Sequence, residues 1–379
     1  MSLTLAEVLR EHWASFAREH RARLAPAHYR AVRSVLACRG PELGGRVYRC
    51  EGCRKYHYAY HSCNHRSCPQ CGAFDQQIWS ARQEARLLPA PYFMVTFTVP
   101  AELRPLCKAH PRELYALIIQ ESAAALLDVI GTKLGGAGGF TSVLHTWGRQ
   151  MQHHPHNHII IPALAYDKAS DTLLHPAKDS FLVHYRPLAD RFRTRMKAAL
   201  RERHPEFLEE FRLDLSTLFG PDKKWVSNVK PVGRGKTALR YLARYVQRSA
   251  FHPRRLLGYN AEGKILLAWY CSDTGKRGVM KLAPAEFIRR WLIHVLPKGF
   301  TRIRHYGFLS SAAKRTRLKI RLLLGELGEP APKLPELEAF RCTECGGMLR
   351  FVREIARSTP PRGPPLTQAT SKPQQRESA

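Results

Sequence analysis

Acidic residues are scarce in this chain of 379 residues: 31 Asp and Glu stand against 61 Lys and Arg, a formal net charge of +30. That imbalance makes a polyanionic partner the default expectation. No run of about 18 apolar residues is evident, so a bilayer-spanning helix is not expected. Glu7, Arg10 and Glu11 interrupt any signal-peptide core near the amino terminus, and the expectation is a cytoplasmic chain with no membrane partner. No self-similarity of solenoid period is present, which excludes a repeat array. After Ser358 large apolar residues all but vanish, leaving Pro360-Pro361, Pro364-Pro365 and then Gln, Ser and Thr. A tail of that composition, 358–379, cannot bury enough surface to fold and is expected to be disordered.

What remains is sufficient for a core, because 44% of residues are hydrophobic. The length suggests two or three units. Apolar residues at three- and four-residue steps predict helices from Leu3 to His20, Pro26 to Leu36, Ala73 to Leu88 and Pro111 to Ile130. Further helices are expected at Pro187 to Arg203, Thr237 to Arg248 and Pro284 to His294. Tyr92 to Val99 reads as a buried strand ended by Pro100, and Phe140 to Trp147 with His156 to Ala163 as a β-hairpin. Shorter strands are expected near Trp225 to Val229, Lys264 to Cys271 and Thr301 to Tyr306. The pattern is α+β rather than a βαβ repeat. The expected domains are 1–88, helical and cysteine-rich; 89–310, containing the hairpin; 311–357, a basic helix with a Cys-x-x-Cys segment; and the tail.

Ten cysteines in a reducing compartment point to metal ligands or free thiols rather than disulfides. Cys50-x-x-Cys53 and Cys68-x-x-Cys71 stand fourteen residues apart, close to zinc-ribbon spacing, where two tight turns each offer a pair of thiolates to Zn²⁺. Cys38, His57, His61, Cys63 and His65 crowd the same stretch, so a substituted ligand or a second ion stays open. A zinc there either staples a small domain or also faces a polyanion, and Arg46, Arg49, Arg54, Lys55 and Arg66 around it favour the second. Cys342-x-x-Cys345 is half of such a site and needs a partner pair from elsewhere.

In His156-Asn-His158 followed by three isoleucines, the period of two puts both imidazoles on one strand face. Two nitrogen ligands on a rigid strand leave coordination positions open for a phosphodiester oxygen. His145 on the preceding strand is the first choice of third ligand, with Gln152 and His154 behind it. A bare His-x-His is more often a hydrogen-bonded pair; the surrounding run from His153 and the apolar strand after it reverse that preference here.

Tyr241-Leu-Ala-Arg-Tyr245 places two phenols at i and i+4, about 5 to 6 Å apart on one helix face. Leu239, Leu242 and Val246 form the apolar stripe, roughly 120° away at about 100° per residue, so packing does not account for the tyrosines. A phenolate attacking DNA forms a phosphotyrosine that conserves the energy of the broken bond. Just upstream, Gly233-Arg-Gly235-Lys236-Thr237 mimics the end of a P-loop, but Lys230 occupies the place of its first glycine. No nucleotide is expected there; Lys236 at the helix start is instead a candidate phosphate contact, with Arg248 near the tyrosines. Arg302, Arg304 and Tyr306 alternate onto one strand face, where cations can track phosphates and the ring can stack a base. A solvated edge strand is the bland alternative.

Four blocks in order carry a resemblance: Cys63-Asn-His-Arg-Ser-Cys68-Pro-Gln-Cys71; Leu144-His-Thr-Trp-Gly148 leading to His153-His-Pro-His-Asn-His158; Tyr241-Leu-Ala-Arg-Tyr245; and His294-Val-Leu-Pro-Lys298-Gly-Phe-Thr-Arg302-Ile-Arg304-His-Tyr-Gly-Phe308. From about Leu24 to Gly347 the chain resembles the two-tyrosine HUH rolling-circle transposases of bacterial insertion sequences, of the insertion sequence ninety-one type. The resemblance implies an HUH nuclease domain, an antiparallel sheet flanked by helices, preceded by a small helical and zinc-binding domain that contacts DNA. It implies Mg²⁺ or Mn²⁺ at the paired histidines and tyrosine attack on single-stranded DNA at the element's ends and in target DNA, in a nucleoid-associated bacterial protein. Lys298 in the last block joins Arg302 and Arg304 as an expected DNA contact. One departure stands out: the middle position of the H-U-H is usually a bulky hydrophobic residue, and here it is Asn157. A replication initiator or relaxase using the same chemistry, and a zinc-dependent DNA-binding regulator without catalysis, are the alternatives.

Overall fold

The computed structural model describes residues 3–220, 223, 225–234, 237, 250–271, 274–335 and 341–358. In chain order the described elements are α1 (Leu5–Glu19), α2 (Pro26–Ala37), β1 (Gly45–Cys50), β2 (Tyr56–Tyr60), α3 (Ala73–Arg86), β3 (Pro91–Thr98), α4 (Arg104–Ala109), α5 (Pro111–Leu134), β4 (Gly139–Trp147) and β5 (His153–Pro162). They continue with β6 (Ala165–Asp167), β7 (Thr172–Leu174), α6 (Tyr185–Arg203), α7 (Pro205–Glu210), α8 (Leu215–Leu218), β8 (Val226–Arg234), β9 (Leu256–Tyr259), β10 (Ile265–Tyr270) and β11 (Arg277–Leu282). Last come α9 (Pro284–Leu292), β12 (Ile303–Gly307), α10 (Lys314–Leu323) and β13 (Leu349–Ile355). The class is α+β with antiparallel sheets.

The chain divides into two units: Asn64–Leu337, and Leu3–Cys63 with the residues after position 338. This division differs from the sequence reading in two ways. The first boundary falls at residue 63 rather than 88, because α3 packs through Trp79 onto the sheet of the larger unit. The expected 311–357 segment is split, since α10 stays in the larger unit while β13 pairs with β1 of the smaller one.

In the smaller unit α1 starts at a capping box: Thr4 Oγ1 accepts from the Glu7 amide at 3.2 Å, and the Glu7 carboxylate accepts from the Thr4 amide at 2.7 Å. Such reciprocal satisfaction of free amides stabilises a helix start by about 1 kcal/mol. Leu5, Leu9, Trp13 and Phe16 form the buried stripe of α1 and Ala31, Val32 and Val35 that of α2. The edge of Trp13 meets Tyr29 at 5.6 Å. Beside the helices, β13, β1 and β2 form an antiparallel sheet in that order.

The larger unit is organised by a five-stranded antiparallel sheet of order β12-β4-β5-β3-β8. Residues Phe93, Val95 and Phe97 of β3, Phe140 and Leu144 of β4, and Ile159 and Ile161 of β5 alternate onto one face and pack against α5 and α6. The opposite face carries Tyr92, Met94, Val143, Ile160, Val232 and Ile303, covered by Trp79 and Leu87. β5 is buried over nearly its whole length because both of its edges are paired and both faces covered. Its Pro155, which has no N–H for a ladder bond, falls at the register shift between the His145 and Trp147 pairs, a position where a strand tolerates proline.

α5 corrects the expectation that no apolar segment is long enough to span a membrane. Pro111–Leu134 meets that criterion by length and composition, with a mean hydropathy of 1.5 over 18 residues, and 67% of that window is buried. It is apolar nearly all round because it lies between the sheet and α6, as a buried core helix does. Its buried Glu121 meets Arg195 at 3.0 Å and Arg203 at 3.2 Å, both from α6.

The atypical Asn157 is explained by the same helix. Its side chain points away from the flanking histidines and is fully buried. Ser142 Oγ donates to Asn157 Oδ1 at 2.8 Å, and Asn157 Nδ2 donates to Ser122 Oγ of α5 at 2.6 Å. Ser122 Oγ in turn donates to the Ile118 carbonyl at 2.6 Å. A hydrophobic residue at 157 would strand the Ser142 hydroxyl and overfill the contact. Asn157→Leu is therefore expected to lower the unfolding free energy by about 2–4 kcal/mol, from two buried hydrogen bonds and one unsatisfied group. Urea unfolding checks this, and a midpoint at or above the parent's would show that the polar contact is dispensable.

Candidate functional site

On the face of the sheet opposite α5, three imidazoles converge. His145 of β4 is the direct cross-strand partner of His156 on β5, and His158 lies two residues further along the same face. Residues directly opposite in an antiparallel pair have Cβ atoms about 4.5–5.5 Å apart, so the register alone brings the rings together. A ligand nitrogen from each of the three lies within 4.8 Å of the others, and the ring centroids are 4.6 to 5.2 Å apart. The three residues are only 2%, 8% and 8% exposed.

Burial sets the protonation of the two of these histidines that lie on β5. It lowers His156 to about 4, against a smaller opposing effect from its bond to the His154 backbone. His158 falls well below its ordinary value, first through burial and then through the neighbouring His156 charge. Neutral imidazoles with free lone pairs are the form that binds metal. Hydrogen bonds orient them: His156 Nδ1–H donates to the His154 carbonyl at 2.6 Å, which leaves Nε2 as the unprotonated nitrogen. His158 Nδ1 meets Thr96 Oγ1 at 2.9 Å, and Thr96 is its cross-strand partner on β3. His145 stacks on Trp147 at 5.0 Å with an interplanar angle of 14°. Such outer contacts fix ring orientation and tautomer.

A second layer was not singled out by the sequence. His294, just after α9, donates from Nε2 to the Met151 carbonyl at 3.0 Å, and its Nδ1 is 3.1 Å from Thr146 Oγ1. It therefore pins the turn joining β4 to β5. His153 Nε2 meets the Tyr115 hydroxyl of α5 at 2.8 Å. Burial holds His294 near 4 and His153 near 3. The tight block beginning at His294 was the available signal, but its histidine carried no spacing that marked a partner.

The other expected site residues divide. Tyr241, Tyr245, Lys236 and Arg248 lie outside the described residues. Lys298 is exposed, and its backbone carbonyl accepts from Arg112 at 2.5 Å. On β12, Tyr306 is half-buried and packs on Phe140 at 5.3 Å, against the edge of the main core. Arg304 lies over the Phe300 ring at 5.8 Å. Arg302 is partly buried, and its guanidinium is brought down to about 10 by desolvation and by the charge of Arg66. β12 is the edge strand of the sheet, hydrogen-bonded on one side to β4, and its residues from Ile303 to Tyr306 are all half-buried.

The cysteines also regroup. Cys50 and Cys53 do not share a cluster with Cys68 and Cys71; their sulfurs gather with those of Cys342 and Cys345 in the smaller unit. The fourteen-residue spacing misleads because β13, from far along the chain, pairs with β1 and brings Cys342 and Cys345 to the Cys50–Cys53 turn.

Comparison with known proteins adds three findings. The family described as "Putative transposase" matches residues 139–317, and the "Transposase zinc-binding domain" family matches residues 8–99. "Putative transposase y4qJ" of Sinorhizobium fredii is 32% identical over 344 residues, covering 86% of this chain and 85% of that protein. "Transposase for insertion sequence element IS801" of Pseudomonas savastanoi pv. phaseolicola is 25% identical over 361 residues, covering 86% and 83%. No solved structure matches.

Proposed function

The chain belongs to the transposase family of the insertion sequence ninety-one type, and on that premise we propose that it cuts and rejoins single-stranded DNA at an element's ends through a covalent 5′-phosphotyrosine. The observation that supports this most is the face of three convergent, buried imidazoles in a chain of a transposase family. His145, His156 and His158 fit a divalent ion, since each offers a nitrogen within 4.8 Å of the other two and burial keeps His156 and His158 unprotonated. Three nitrogen donors favour Mn²⁺ over the oxygen-seeking Mg²⁺. When bound, such an ion polarises a phosphate oxygen and offsets charge in the transition state.

The chain's own residues supply the rest. The phenol of Tyr241 or Tyr245 gives up its proton to water, its oxygen attacks the phosphorus, and the departing 3′ oxygen takes up a proton from water. The bond between phosphorus and the 3′ oxygen breaks, and the released strand keeps a 3′-hydroxyl. The 5′ phosphate stays on the tyrosine until a 3′-hydroxyl reverses the step, so no nucleotide is consumed. A second tyrosine at i+4 allows a new cleavage while the first end is still held. The domain readings follow the same line: the larger unit is the strand-transferase and the zinc-binding region a DNA-binding module.

The test is incubation of the full chain with single-stranded oligonucleotides, labelled at either end, and Mn²⁺. A protein adduct that survives SDS and carries the 3′-labelled fragment is expected, with a higher yield in Mn²⁺ than in Mg²⁺. Absence of any adduct sinks the proposal in favour of a non-catalytic zinc-dependent DNA-binding protein. Cleavage at a plasmid or phage origin with none at element ends would favour the replication initiator or relaxase reading.

A further inference from the structure

We infer that Cys342 and Cys345 complete a four-thiolate zinc site with Cys50 and Cys53, so that the smaller unit is a zinc ribbon assembled from two segments almost 300 residues apart in sequence. Neither matched family region, 8–99 or 139–317, contains the Cys342–Cys345 turn. All four sulfurs lie within 4.8 Å of one another. Cys50 Sγ is 3.4 Å from Cys345 Sγ, and Cys53 Sγ is 3.6 Å from Cys342 Sγ. These separations far exceed a disulfide bond of about 2.05 Å. They approach the edge of about 3.8 Å expected for sulfurs set tetrahedrally at about 2.3 Å from zinc.

The two turns are built alike. Arg54 N–H donates to the Cys50 carbonyl at 3.1 Å, and Gly346 N–H to the Cys342 carbonyl at 2.9 Å. Cys50 N–H donates to the Lys55 carbonyl at 2.9 Å, and Cys342 N–H to the Gly347 carbonyl at 2.8 Å. In each turn the residue after the second cysteine is left-handed, Arg54 at φ 63° and Gly346 at φ 73°. Two chain segments with equivalent geometry thus face each other across their sulfurs. Small residues line the gap: a Cβ at Gly347 would lie 3.0 Å from Cys50 Sγ, and one at Gly52 3.3 Å from Cys345 Sγ. His57 Nε2 is 3.2 Å from Cys342 Sγ, placed to donate a proton to a thiolate in the way outer-layer groups support zinc ligands.

The sheet aligns the turns, and its buried apolar side chains besides cysteine are only Val47 and Tyr48 of β1. β13 pairs with β1 from Gly45 opposite Ile355 to Cys50 opposite Leu349, while Tyr56, Tyr58, Phe351 and Val352 are all exposed. A small sheet with so little buried apolar surface needs a staple, and zinc bound by four thiolates contributes its binding energy directly to folding.

The full chain, purified with zinc, provides the test through metal content. Cys342→Ser/Cys345→Ser and Cys50→Ser/Cys53→Ser should each lose one zinc equivalent relative to the parent, and the quadruple variant should lose the same one. A quadruple variant that loses two, or a Cys342→Ser/Cys345→Ser chain with the parent's zinc content, overturns the shared site; iron in place of zinc overturns the metal. Amide exchange supplies a second reading that does not depend on activity. In both double variants residues 349–355 should lose protection while residues 91–98 keep it, which also shows that the larger unit has folded. Protection retained at 349–355 in the Cys50→Ser/Cys53→Ser chain would contradict the staple.

Discussion

A chain carrying Tyr241→Phe together with Tyr245→Phe is expected to leave labelled single-stranded DNA free of protein after denaturation, a loss of covalent product of at least about 10⁴-fold. The exchange removes one oxygen from each ring and leaves the rest of each side chain intact, so a merely packing role predicts little change. DNA affinity, measured by anisotropy in the same buffer, should stay within about twofold, because binding rests on the basic surface rather than on two phenols. The single variants separate the roles. If either phenol can open the reaction, each single variant still forms an adduct, but joining two ends requires both and is lost. Equal adduct yields from parent and double variant would remove these tyrosines from the mechanism.

The second large effect is expected at the metal face. His158→Ala deletes one of three convergent nitrogens, and several kcal/mol of transition-state stabilisation corresponds to a fall of about 10³-fold in cleavage rate. Thr96→Val is the more diagnostic companion. It leaves the imidazole in place and removes only the hydroxyl 2.9 Å from Nδ1, so metal affinity should weaken by about 10- to 100-fold and cleavage should recover as Mn²⁺ is raised. His158→Ala should not recover in the same way. A His158→Ala chain that cleaves at the parent rate would refute the assignment.

How much of this was legible without coordinates depended on the range of the contact involved. The pairing of His156 with His158 follows from the period of two in a strand, and a neighbouring hairpin strand was enough to nominate His145. The side-chain direction of Asn157 followed from the same period, but its partners did not: Ser142 is a cross-strand neighbour and Ser122 comes from a helix that the chain traverses earlier. Of Arg302, Arg304 and Tyr306, the last two lie on the edge strand β12, and only the pairing of β12 with β4 shows that Tyr306 rests on Phe140. α5 was recognised as a helix, but its near-uniform apolarity was missed because it is explained only by a sheet on one side and α6 on the other.

The amino-acid sequence by itself determined the α+β class, the transposase resemblance, the polyanion-seeking charge, the i and i+4 tyrosine pair and the histidine face, all of which are local or compositional. Only the tertiary structure decided which cysteines share an ion and what supports the histidines. Cys50 and Cys53 meet Cys342 and Cys345 because β13 adds to β1. That pairing is written in backbone hydrogen bonds, which any sequence of suitable residues can make, and no spacing in the chain records it.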